Sequence, residues 1–290
     1  MHRLGLVCMT ESDEVRFRTL TRTRLHKLSL DAQRDTLRAL YAANADSLRR
    51  GVAFCHRHQI PLFRIASDLF PFADTDLGEA VLHEFADTLA GIGREAQGLR
   101  LVMHPDQYVV LSSDRPEVVD NARRVLLLHG LILDLLGQPR SPWAAVIIHG
   151  GKGDRAAQLA AQVQALPDSV RSRLVLENDE RAYGADEILA VCKSSGVPMV
   201  FDAHHHVIHD SLSSYEDRSV GQMLDMAAKT WPQDDWQLVH ISNGREGFSD
   251  MRHSDLIAVM PSCYRRAPWI EVEAKAKERA IFGLRAQGWA

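Results

Sequence analysis

Residues 173–206, RLVLENDERAYGADEILAVCKSSGVPMVFDAHHH, hold the pattern on which the fold turns. RLVLEND (173–179) is a short run rich in leucine and valine that breaks off in acids, as suits a parallel strand covered on both faces. GADEILAVCKSSG then has the composition of a helix and stops at Gly196, with Pro198 soon after. PMVFDAHHH (198–206) repeats the strand signature and closes on histidines. A strand, a helix and a second strand make one parallel βαβ unit. Outward from it the same beat recurs in RLGLVCM (3–9), LFRIAS (62–67), RLVMHP (100–105), AAVIIHG (144–150), WQLVHIS (236–242) and WIEVEAK (269–275). Helical patterns fill the gaps. SLDAQRDTLRALYAANADSLRRGVAFCHRH opens with Ser29 and Asp31 as cap candidates, and RPEVVDNARRVLLLHGLILDLLG has Pro116 in its first turn and Gly137 after its last. SVGQMLDMAAKTW and HSDLIAVMPSC follow the last two gaps, the second broken by Pro261. Eight such units in one chain predict an α/β protein, a closed (β/α)8 TIM barrel, with residues 1–290 as a single domain. The alternative is an open, doubly wound sheet.

The composition of the 290 residues, 46% hydrophobic and 25% charged, is that of a globular protein. A net charge of -4 neither requires nor excludes a polyanionic partner, so local clusters must decide. Cys8, Cys55, Cys192 and Cys263 form no CxxC pair, which argues against a disulfide scaffold or thiolate zinc site and fits a reducing compartment. The opening MHRLGLVCMTESDEVRFR is charged too early for a signal peptide, and no run reaches the roughly 20 apolar residues of a membrane span. A cytoplasmic protein with no membrane association is expected.

In a barrel of this kind the active site is built at the carboxyl ends of the strands. His104 closes the third run, His149 the fourth and Glu177 the fifth; Asp202 and His205 close the sixth, His240 the seventh, and Glu273 lies near the end of the eighth. His253 sits in the loop after the seventh. Six successive strands thus deliver an imidazole or a carboxylate to one rim. A lone histidine at a strand end is usually structural, but several carboxylates gathered in one place require cations. Imidazoles mixed with carboxylates suit zinc, manganese or iron, and three acids with five histidines exceed the needs of one tetrahedral ion. Two or three ions are therefore expected. His204 and His206, if the strand persists, fall on the same side as Asp202 and would support neighbouring ligands. His26, His56, His58, His83 and His129 are assigned to solvent or to structural roles, and His209 to a loop.

At this point the stretches RLGLVC, TLTRTRLHKL, LFRIASDLFPF, HPDQYVVLSS, IIHGGKGDR, RLVLENDE, PMVFDAHHH, HISNGR, HSDLI and VEAKAKE together resemble the UV damage endonuclease family, in family order from Arg3 to Glu278. The resemblance implies a barrel akin to the endonuclease IV group, with up to three divalent ions, manganese foremost and zinc, cobalt or magnesium as alternatives. By matched motif, His104, His149 and Glu177 would hold one ion, with Glu177 bridging to a second completed by Asp202, His240 and Glu273. His205 and His253 would hold a third. The implied reaction is metal-assisted hydrolysis of a DNA phosphodiester, cutting 5′ to an ultraviolet photoproduct and leaving a 3′ hydroxyl and a 5′ phosphate. Catalytic roles are expected of Glu177, Glu273 and Lys275, the last of which follows Glu273 closely and either aims at the scissile phosphate or pairs with an acid. The implied partner is double-stranded DNA carrying ultraviolet lesions, met by a monomer. Abasic sites are a further class of lesion.

Positive charge for the DNA is sought in VRFRTLTRTRLHK, with Arg16, Arg18, Arg22 and Arg24, and in Lys152 and Arg155 near the GGKGD turn. Lesion contacts are expected from Leu6, Gln107 and Tyr108. Two positions depart from the family pattern. Leu6 stands where a tyrosine is common, which bears on lesion preference. Leu238 stands where a lysine often lies two residues before the histidine of the seventh strand, which bears on the third ion. The rival functions are a metal-dependent sugar isomerase or epimerase on the same barrel, and a barrel that binds lesions without cleaving.

Overall fold

A computed structural model describes residues 3–106 and 108–289. Eight short strands run β1 (Arg3–Val7), β2 (Leu62–Ile65), β3 (Arg100–Met103), β4 (Val146–His149), β5 (Leu174–Glu177), β6 (Met199–Asp202), β7 (Leu238–Ile241) and β8 (Trp269–Val272). Each pairs in parallel with the next, and β8 returns to β1, so the sheet closes. This is the expected barrel, and closure excludes the open sheet. The strands leave no unpaired edge, and the helices that link them bury the outer face.

Side chains alternate along each strand, so one parity faces the barrel axis and the other faces the helices. On the inward parity, Leu62, Val102, Ile147, Val175, Val200 and Leu238 form a fully buried apolar layer. Gly5 belongs to that parity, and a Cβ there would lie 2.5 Å from Leu62 Cδ2. One step further along the same parity come Arg64, His104, His149, Glu177, Asp202 and His240. A dry plug therefore lies directly beneath a charged layer. At the opposite mouth Arg100 donates to the carbonyls of Trp143 (2.9 Å), Trp236 (2.9 Å) and Pro142 (3.1 Å) and stacks among Trp143, Trp231 and Trp269.

The long helix Leu30–Arg57 begins where predicted, with the Ser29 hydroxyl accepting from Ala32 N–H. Pro116 opens the helix Pro116–Leu135, and Gly196, at φ 73°, caps Ala185–Ser195. Three local expectations fail. The sixth strand stops at Asp202, and Ala203–His209 is a helix that includes His209, because Asp202 turns its carboxylate to accept from His205 N–H at 2.8 Å and caps the turn. His204 and His206 therefore follow helical rather than alternating geometry. HSDLIAVM forms no helix; one short 3-10 turn, Ser262–Arg266, follows Pro261. The arginine-rich stretch after β1 contains a single helical turn, Arg22–His26, capped by Thr21. Among the described residues no helix is long and apolar enough to cross a membrane.

Candidate metal centre

The register of the strands brings the acids and imidazoles together. His149 lies beside Glu177 across β4 and β5, Asp202 beside His240 across β6 and β7, and His240 beside Glu271 across β7 and β8. Glu177, 1% exposed, is the centre. Its Oε2 lies 2.9 Å from His104 Nε2 and 3.8 Å from His149 Nε2. Its Oε1 lies 2.9 Å from His240 Nδ1 and 3.5 Å from His205 Nδ1. Glu273 Oε1 is 3.3 Å from His240 Nδ1, and its Oε2 is 3.7 Å from His253 Nδ1. Among the described residues, three trios of residues have donor atoms within 4.8 Å of one another: His104, Glu177 and His240; His149, Glu177 and His205; Asp202, His240 and Glu273. The last is an expected set. The first two divide His104 and His149 between separate trios instead of joining them, and His205 sits with His149, while His253 stands at the rim beside Glu273.

The tautomers test whether cations fit. His104 Nδ1 faces the Pro105 carbonyl at 2.9 Å and must donate to it. A neutral ring then turns its Nε2 lone pair toward the Glu177 carboxylate, which is repulsive unless a proton or a metal ion lies between them. His205 repeats the arrangement, with Nδ1 donating to the Asn178 carbonyl at 2.9 Å and Nε2 left toward Glu180 Oε2 at 3.7 Å. His240 is enclosed by acids, with Nδ1 toward Glu177 and Glu273 and Nε2 against Glu271. Asp202 Oδ2 is buried without a hydrogen-bond partner, a costly state for a carboxylate that no cation compensates. The donor set fits divalent ions of the zinc and manganese type.

The electrostatics agree. Burial by itself would raise Glu177, but the charges of His240 and His149 and hydrogen bonds from His104 and His240 hold it well below the usual carboxylate range. Burial by itself would lower His240, yet Glu177, Glu271 and Glu273 raise its pKa well above that of free imidazole. For His205 the burial penalty is overcome by Asp202 and Glu177, and its pKa is pushed up to about 9. His149, where burial prevails, is lowered. Glu177, Glu271 and Glu273 are all held below the usual carboxylate range against burial, by His240 in each case and by Arg64 for the last two, and the positive charge that matches them comes from Arg64 and from protons or metal.

Residues absent from the expectation complete the centre. Glu271, fully buried, touches His240 Nε2, so that His240 is backed by a carboxylate and its Nδ1 is aimed at the other acids. Arg64 in β2 lies 2.5 Å from Glu273 Oε1 and 3.7 Å from Glu271 Oε2. Asn178 pairs with the main chain of Asp202 through both side-chain atoms, each at 2.9 Å, and locks β5 to β6. A charged residue on the inward parity of an apolar strand was the available signal for Arg64 and Glu271. His204 and His206 point to Tyr215 (2.6 Å) and Ser219 (3.0 Å), not to the centre. His129 is buried and bonds to the Val125 carbonyl at 2.7 Å, a structural role.

The expected DNA contacts divide. Leu6 lies on the outward parity of β1, between the inward Gly5 and Val7. It is fully buried in the strand–helix core, so its side chain does not reach the rim. Gln107 lies outside the described residues. Tyr108, on the loop after His104, is 60% exposed. Arg18, Arg22 and Arg24 are exposed beyond β1, whereas Arg16 is bound to Asp13 at 2.7 Å and to loop carbonyls. Lys152 and Arg155 both rest on Asp114, at 3.2 and 3.0 Å. Lys275 is exposed at a groove shared with Arg64, His253 and Glu273. Leu238 occupies the apolar layer one step below His240, so β7 brings no lysine to the centre.

Comparison with known proteins gives a consistent picture. The profile of the UV-endonuclease UvdE family matches residues 2–288. A UV DNA damage endonuclease of a Nostoc species is 50% identical over 98% of this chain and 89% of its own. One from Deinococcus radiodurans is also 50% identical, over 98% and 94%. The crystal structure of SacUVDE superposes with a TM-score of 0.79 at 24% identity over the whole of both chains. Endonuclease IV from Thermus thermophilus gives 0.62 at 14% identity, over 99% and 98%. At those identities the two structures speak for the fold.

Proposed function

The chain belongs to the UV-endonuclease UvdE family, and from that membership we propose that it hydrolyses a DNA phosphodiester on the 5′ side of an ultraviolet photoproduct, using two or three divalent ions, manganese foremost. The observation that carries this reading is the division of Glu177, with His104 and His149 on one oxygen and His240 on the other. A carboxylate so flanked is suited to bridge two ions. Divalent ions held there would supply an activated water and would neutralise charge on the phosphate and the leaving oxygen.

The chain's own residues do the rest. Glu177, Asp202 and Glu273 provide the negative charge that retains cations, and His104, His149, His205, His240 and His253 provide neutral donors. Glu271 holds His240 in the tautomer that leaves Nδ1 free for a ligand role. The apolar layer beneath keeps bulk water from the underside of the centre. No serine or cysteine nucleophile is required. Lys275, exposed beside Glu273, is assigned to the scissile phosphate. Arg18, Arg22 and Arg24 reach the backbone of the duplex. Tyr108, with Gln107, takes the lesion-probing role that the buried Leu6 does not fill. The protein acts as a monomer on DNA in the cytoplasm.

The test is nicking of ultraviolet-irradiated supercoiled plasmid by metal-stripped protein, with and without added Mn²⁺. Irradiated plasmid is expected to relax only when the ion is restored. Plasmid that stays closed, irradiated or not, while a ketose is epimerised would replace this reading with the sugar-enzyme alternative.

A further inference from the structure

Arg64 is a full charge buried at 7% exposure within a barrel layer otherwise built of histidines and carboxylates. Its Nη1 donates to Glu273 Oε1 at 2.5 Å and lies 3.7 Å from Glu271 Oε2. Among the described residues no other lysine or arginine forms an ion pair with a carboxylate of the centre. The same oxygen of Glu273 faces His240 Nδ1 at 3.3 Å and belongs to the trio of Asp202, His240 and Glu273. The guanidinium therefore occupies one oxygen of a carboxylate whose other oxygen turns to His253.

We infer that Arg64 is a permanent cation of the metal centre. It fixes which oxygen of Glu273 is offered toward His253, and it sets the affinity for an ion at the corner of Asp202, His240 and Glu273. The inference rests on the metal reading above. Arg64 with Glu271 and Glu273 carries a net charge of -1. Arg64→Met leaves -2 at the same place. A positive charge this close to a divalent ion repels it, and in a partly desolvated site the effect is large. Arg64 is thus a positioning residue that tempers metal binding, and its loss should tighten binding while it weakens the metal-free fold.

The experiment is calorimetric titration of Mn²⁺ into the metal-stripped full chain, with thermal melts of each form. Arg64→Met is expected to melt lower without metal, to bind Mn²⁺ about tenfold tighter or more, and to gain more from metal in its melting temperature than wild type. Arg64→Lys should return affinity toward wild type. Damage to the fold alone would weaken binding, so a folded Arg64→Met that binds Mn²⁺ equally or less tightly overturns the inference. Should Arg64→Met fail to fold, Arg64→Gln decides by the same titration: tighter binding than wild type supports charge balance as the role of Arg64, and equal or weaker binding overturns it. Wild-type protein that takes up no Mn²⁺ would remove the metal reading itself, a result distinct from either.

Discussion

Replacing Glu177 by glutamine tests the centre at its most connected point. The carboxylate lies 2.9 Å from both His104 Nε2 and His240 Nδ1 and is 1% exposed. A glutamine of the same shape loses the charge and must turn its amide NH₂ toward one of these two rings, where an ion or a ring proton would otherwise lie. Each hydrogen bond to a buried charge is worth about 1.5–3 kcal/mol, and breaking a buried ion pair costs about 3–5 kcal/mol. At about 1.4 kcal/mol per decade this corresponds to roughly 10²–10⁴ in the affinity of an ion held there. The variant is expected to lose at least one equivalent of Mn²⁺ by elemental analysis after dialysis. Its nicking of irradiated plasmid should fall by about 10² or more. Wild-type metal content together with nicking near the wild-type rate would refute the bridging role of Glu177.

Arg22→Ala/Arg24→Ala removes two exposed charges and should weaken DNA binding while reducing the slope of log affinity against log salt by about 2; an unchanged slope would remove this turn from the interface. His129 is buried with its pKa lowered to about 4, burial being the cause, against 6.5 for a free side chain. A depressed histidine binds its proton more readily when unfolded, so stability is lost as pH falls from 6.5 toward 4, by about 3 kcal/mol in all. His129→Asn should lessen that loss in urea titrations at pH 7 and pH 4.5, and an equal drop in both proteins would show that His129 is not responsible. Arg100→Met strips three main-chain carbonyls of their donor at the far mouth of the barrel. It should cost about 1–3 kcal/mol for each carbonyl left without a partner, without changing Mn²⁺ content; an unaltered melting temperature would refute this.

Much of this molecule follows from local pattern. Short leucine- and valine-rich runs between capped helices announce a parallel sheet, because strands covered on both faces must be apolar throughout, and eight repeats foretell closure. The ends of those runs also display His104, His149, Glu177, Asp202, His240 and Glu273, because a barrel can place its ligands only where its strands stop. What sequence leaves undecided is parity and register. Leu6 and Arg64 both lie in strand runs, yet alternation sends Leu6 outward into the core and Arg64 inward to the acids. Glu271 and Glu273 look alike in WIEVEAK, but only pairing with β7 puts one behind His240 and the other in front of it. Asp202 could have continued a strand; its carboxylate caps a helix instead and turns His204 and His206 away. Residue types and their order along the chain determined that acids and imidazoles would share one rim. Which nitrogen faces which oxygen depends on contacts between strands dozens of residues apart, and only the closed barrel decides those.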